Sequence, residues 1–121
     1  MNYEDMSDFD ISKEVAFAIR GRDEVCVIDT SLGKLVRIFN GNPKNEDYSG
    51  WVDFDPCNNP SDAWPVIFEN KIATEWFTSD LWRAQCDNQF QPGEFKVWTS
   101  YCYKPLRAAM ICFLKMKDAE K

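Results

Sequence analysis

The residues best equipped for chemistry in this chain of 121 residues are five cysteines, Cys26, Cys57, Cys86, Cys102 and Cys112, which stand without a single histidine. Their number is odd, their spacing is wide, and no two form a C-x-x-C pair, so the pattern is neither a disulfide framework nor a zinc motif. The expectation is no metal, with free thiols mostly buried as small apolar side chains. The missing histidine also removes the side chain that most often moves protons near neutral pH. With it go the Ser-His-Asp and Cys-His arrangements that activate nucleophiles. Paired carboxylates, a Gly-rich phosphate loop and G-x-G-x-x-G are absent as well. Lysine, carboxylate or cysteine chemistry stays open, but nothing assigns a catalytic residue or a cofactor, and an enzyme is not the expected class.

Binding residues are easier to nominate. Asn58, Asn59 and Asp62 place polar groups beside an aromatic anchor, Trp64. The same residues also read as a capped helix start with a core tryptophan. That reading takes precedence, because each already has a capping or packing task. Arg107 opens an otherwise apolar helix, where a cation is mildly unfavourable beside the positive end of the helix dipole and invites a carboxylate. An internal ion pair is the first expectation, and an anionic ligand or another protein the second. Five tryptophans are a heavy aromatic load for this length. Most belong to the core, and Trp82 and Trp98 are the two whose exposure would suggest a binding surface.

The elements that position these residues follow from caps and periodicity. Ser7 and Asp10 form an S-x-x-D start, after which Ile11, Val15, Ala18 and Ile19 recur at helical spacing, predicting a helix over about 8–20. Val25-Cys26-Val27-Ile28 and Leu35-Val36-Arg37-Ile38-Phe39 flank Thr30-Ser31-Leu32-Gly33 and predict a hairpin. Residues 40–50 are polar and rich in turn formers, the longest expected loop, and Trp51-Val52-Asp53-Phe54-Asp55 alternates as a strand that should pair with the hairpin. Asn59 as N-cap and Pro60 as first residue start a short helix, which Pro65 could loosen and Asn70 could end. Residues 72–101 are dense in aromatic and β-branched side chains and predict two or three strands, separated by turns at Thr78-Ser79-Asp80 and at 88–93.

Pro105 opens the last helix. Nine of the eleven residues from 106 to 116 are apolar, so this helix should be largely buried, in the core or in an oligomer interface. Cys57-x-x-Pro60-x-x-Ala63 and Cys102-x-x-Pro105-x-x-Ala108 share one frame, a hint of a repeated strand–helix unit.

Charge narrows the partners. Residues 1–60 hold 12 acidic against 6 basic side chains, residues 61–121 hold 8 of each, and the net charge is −6. Nucleic-acid binders usually carry the opposite sign in a patch, so direct nucleic-acid binding is disfavoured. No stretch is apolar enough to span a bilayer, and the acidic start, Glu4, Asp5, Asp8 and Asp10, is unlike a signal peptide. The expected location is cytoplasmic, without membrane association.

Two segments resemble the NinX family of tailed phages and prophages of enteric bacteria. They are Cys57-Asn58-Asn59-Pro60-Ser61-Asp62-Ala63-Trp64-Pro65-Val66-Ile67 with Glu69-Asn70-Lys71-Ile72, and Pro105-Leu106-Arg107-Ala108-Ala109-Met110-Ile111 with Phe113-Leu114. Ser7-Asp8-Phe9-Asp10-Ile11 adds to the likeness. Members usually read Asn-Pro where this chain has Lys104-Pro105. The helix-opening pair is also similar to a phage α/β/α-sandwich domain. The resemblance implies an accessory phage or prophage protein and brings no reaction, cofactor or catalytic residue with it.

The expected fold is therefore a single α+β domain spanning 1–121. It has a mostly antiparallel sheet of four to six strands and helices at the N-terminus, centre and C-terminus, layered as an α/β/α sandwich. The expected function is a non-enzymatic factor that binds a host or phage protein, with a homo-oligomer through the C-terminal helix also open. The alternatives are a small-ligand or nucleotide-sequestering protein with a pocket near Arg107, or a minimal histidine-free enzyme.

Overall fold

The computed structural model describes residues 2–39, 50–87 and 96–119. Helix α1 (Asp8–Arg20) begins where Ser7, in extended conformation, accepts a hydrogen bond at 3.1 Å from the Asp10 N–H, and it ends at Gly21, whose φ of 77° only glycine adopts readily. Strands β1 (Val25–Thr30) and β2 (Gly33–Phe39) form the expected hairpin across a two-residue turn, and β3 (Trp51–Asp53) pairs antiparallel with β2. Helix α2 (Pro60–Glu69) is capped by Asn59, which accepts from the Ser61 N–H at 3.0 Å. Pro65 supplies no N–H, yet the helix runs unbroken past it. Strands β4 (Ala73–Thr78), β5 (Leu81–Asp87) and β6 (Val97–Cys102) then form a second antiparallel sheet in sequence order, and α3 (Pro105–Ala119) follows. The turn expected at 88–93 and most of the loop expected at 40–50 lie outside the described residues.

The α+β class, the six antiparallel strands and the three helix positions are as expected. The strands, however, divide into two sheets, β1-β2-β3 and β4-β5-β6, where one was anticipated. Helix α1 packs on β1 and β2, α3 packs on β4, β5 and β6, and the two helices pack on each other, with α2 also against α3. The layers run sheet, helix, helix, sheet. The reason lies in α3: every residue from Arg107 to Leu114 is buried. A helix that is apolar on all sides needs cover on all sides, which a position on the outside of one sheet could not provide. Because this cover comes from within the chain, α3 needs no oligomer to account for its composition.

The shared cysteine–proline–alanine frame has a structural counterpart. Three antiparallel strands followed by a helix occur twice, as β1-β2-β3-α2 and β4-β5-β6-α3. In each unit the hairpin closes with a threonine opposite the first residue of the second strand, Thr30 with Gly33 and Thr78 with Leu81. The second strand buries two alternate residues, Val36 and Ile38 in one unit, Ala84 and Cys86 in the other. Cys57 and Cys102 are buried before the proline, and Ala63 and Ala108 are fully buried one turn into the helix.

Candidate functional site

The polar residues nominated from sequence converge at the start of α3, around a residue that sequence reasoning had not singled out, Asp8. Its carboxylate accepts from Arg107 Nη1 at 2.6 Å, from Lys104 Nζ, and from Asn58 Nδ2 at 3.3 Å. Asn58 also donates to the Asp55 carboxylate at 3.1 Å and accepts from Lys104. Asp62 takes the Asp55 N–H at 2.9 Å, and Asn59 is occupied as the cap of α2. Asp8 sits at the first residue of α1, Asn58 on the turn before α2, and Lys104 and Arg107 at the opening of α3. One carboxylate thus ties the N-termini of all three helices together.

Arg107 is only 8% exposed and finds its carboxylate, the internal ion pair that its position invited. Its second terminal nitrogen donates to the carbonyls of Met6, at 2.5 Å, and Glu4, at 3.3 Å. The segment before α1 is held along α3 by two further contacts, Glu4 with Lys115 at 2.5 Å and the Tyr3 hydroxyl donating to Asp118.

These contacts set the ionisation of the cluster. Burial opposes charge on Asp8, but the hydrogen bonds from Lys104 and Arg107 outweigh it and hold the carboxyl below its ordinary range. Burial likewise works against Lys104 and Arg107, and Asp8 reverses it, so both cations are held more firmly than usual. Cys57, beneath the cluster, is pushed up to about 12 by burial and by the Asp8 charge, so it stays a neutral thiol. Positions at which a cation, a carboxylate and a thiol stand together can suggest catalysis. Here the two cations share the Asp8 carboxylate, Asn58 bridges the same group, and the geometry is that of a brace between helices.

Beside this brace lies an open cleft of about 530 Å³, whose lining includes Glu4, Asp8, Arg107, Leu81, Tyr101 and Tyr103. Beyond it, the outer face of the second sheet carries Tyr101 and Phe77 with ring centroids 5.0 Å apart, and Arg83 lies 5.3 Å from the Phe77 ring while paired with Glu75. No group of three or more Cys, Asp or Glu close enough to hold a metal occurs among the described residues.

A family profile described as Bacteriophage P22, NinX matches residues 2–117. The chain belongs to the NinX family. A comparison with curated proteins gave no match. The NinX profile therefore covers the brace, both sheets, α1, α2 and all but the last two residues of α3.

The tryptophans divide differently from expectation. Trp82 and Trp98 are half-buried on the α3 side of their sheet, Trp98 packed against the core. Trp64, expected in the core, is 62% exposed on α2 and lies against Phe68, 67% exposed, with ring centroids 6.0 Å apart. Trp76, on the edge strand β4, is 65% exposed. In α2 the residues that turn inward are Ala63 and Val66, and Trp64 and Phe68 form a second apolar stripe one residue further round. No helix of the described residues is long and apolar enough to cross a membrane.

Proposed function

We propose that this NinX-family protein is a non-enzymatic accessory factor of phage or prophage, acting in the cytoplasm of its bacterial host by binding a host or phage protein. The observation that carries the reading is the Trp64–Phe68 pair. Two large aromatic side chains one helical turn apart, both more than half exposed, have no part in the core and match the kind of anchor that dominates protein interfaces. The polar residues that could have argued for catalysis are spent on the brace. The test is a pull-down from extracts of host cells with and without phage, using the wild-type chain and a Trp64→Ser/Phe68→Ser variant as baits. A species retained by the wild type and lost by the variant supports the reading, provided the variant keeps its melting midpoint. Equal retention by both baits refutes it.

The cleft beside Arg107 favours a second reading, a small-ligand or nucleotide-binding protein, because tyrosines and a guanidinium border one open space. Calorimetric titration with nucleoside mono- and triphosphates distinguishes the two. Saturable binding weakened by Tyr101→Ala, with Trp64→Ser unaffected, would move the function to the cleft.

A further inference from the structure

Small residues line the seam where β5 and β6 meet α3: Ala84, Cys86, Ser100 and Cys102 on the strands, Ala108, Ala109 and Cys112 on the helix, all buried. With so little side chain between them the backbones come close. Ser100 Oγ donates to the Ala108 carbonyl, Cys112 Sγ lies 3.3 Å from the Trp98 carbonyl oxygen, and Cys86 Sγ lies 4.0 Å from the carbonyl oxygen of Cys112 itself. The two thiol sulfurs stand 3.2 Å apart, with the Met116 sulfur 3.9 Å from Cys86. A disulfide closes its two sulfurs to about 2 Å, and this seam of Ala, Ser and Cys already holds them 3.2 Å apart.

We propose that Cys86 and Cys112 are a redox modification site, converted by a two-electron oxidant of the hydroperoxide class into a disulfide that joins β5 to α3. Cys86 is the attacking sulfur. The hydrogen bond from Cys112 lowers its pKa against the effect of burial, while the same contact and burial raise that of Cys112. The Cys86 sulfur bonds to one oxygen of the peroxide as the O–O bond breaks; that oxygen keeps its proton as the sulfenic acid, and the departing hydroxide takes the Cys86 proton and leaves as the first water. Cys112 sulfur then attacks the sulfenyl sulfur, the S–O bond breaks, and the second water carries off the Cys112 proton. Two thiols and one hydrogen peroxide become one disulfide and two waters. A thiol reductant reverses the change by exchange, so in a reducing cytosol the pair rests as a dithiol.

Exposure alone points elsewhere, because Cys26 is half-buried and the other four cysteines are buried. The test is hydrogen peroxide titration of the full chain, read by intact mass, by thiol count after denaturation and by non-reducing tryptic mapping. The expected result is a loss of 2 Da, a fall from five free thiols to three, and a linked pair of peptides carrying Cys86 and Cys112. The melting midpoint should rise on the order of 10 °C, as for a cross-link closing a loop of this length, and return on reduction. Cys86→Ala and Cys112→Ala should each abolish the 2 Da loss. If either fails to fold, the wild-type map alone decides. Oxygen addition at Cys26 with Cys86 and Cys112 still free overturns the proposal. So does a linked peptide accompanied by a lower midpoint, which would mark a bond trapped from an unfolded form.

Discussion

Replacing Asp8 by alanine removes the one carboxylate shared by Lys104, Arg107 and Asn58. Arg107 is then left nine-tenths buried with only the Met6 and Glu4 carbonyls, and Lys104 faces it with no anion between them. Removing one partner of a buried pair costs about 3–5 kcal/mol, because the remaining charge stays out of water. The Asp8 side chain is 30% exposed, so water can replace part of what is lost, and the expected cost is about 2–4 kcal/mol. In urea, with a slope of about 2 kcal/mol per molar for a small domain, the midpoint should fall by about 1–2 M. Asp10→Ala is the control, since among the described residues the Asp10 side chain makes only a 3.8 Å surface contact, with Lys13. The difference between wild type and Asp8→Ala also depends on pH. The folded carboxyl lies below its ordinary 3.8, so its contribution is fully present above that value and is lost as pH falls through the depressed one. If Asp8→Ala moves the midpoint no further than Asp10→Ala, or if the difference between wild type and variant survives unchanged to pH 2, the brace does not hold the helices together.

Phe113→Ala empties one of the largest fully buried sites and should cost about 3–5 kcal/mol, with a chain ending at Lys104 unable to unfold cooperatively; thermal and urea denaturation measure both. Asn59→Ala should lose about 1 kcal/mol by urea denaturation, the usual scale for a cap of this kind. Gly50→Ala should lose at least as much, because Gly50 has φ of 90° and an added Cβ would meet Phe39 Cε2 at 2.5 Å; the same assay decides.

Much of this was legible from local chemistry. Ser7 with Asp10, Asn59 with Pro60, and Pro105 mark the three helix starts, since orphaned N–H groups can be met only by a few side chains or avoided by proline. Thr30 through Gly33 marks the first hairpin. Arg107 was recognisable as a cation in need of a carboxylate, but its partner Asp8 lies 99 residues away in the chain, and nothing local connects the two. The split into two sheets was equally hidden, because period-two alternation says which face of a strand is buried and not which strand it pairs with. Trp64 misled because α2 carries two apolar stripes, and a helical wheel ranks neither above the other. Trp82 shares parity with Ala84 and Cys86, so its inward direction was readable once those small residues were recognised as the seam beneath α3.

The repeated unit explains why an aromatic pair is left outside. In both units a buried cysteine, a first-turn proline and a buried alanine deliver a helix after the third strand. The second unit's helix, α3, goes to the centre, where one side is closed by its own sheet and others by α1 and α2. The first unit's helix cannot do the same, because α1, which precedes both units, already packs on β1 and β2. Each of the two sheets is packed by one helix, α1 on the first and α3 on the second, and α2, the shortest, packs on α3, with Ala63 and Val66 its buried residues. Such a position asks for one apolar stripe, yet α2 has a second, Trp64 and Phe68, rising from the same turn that Asn59 and Asp62 hold in place. The brace ties that turn to α1 and α3 through Asn58, so the helix that carries the exposed rings is anchored at its start. Rigid aromatic anchors lose little conformational entropy on binding. That is the property an interface needs and the core of this fold does not use.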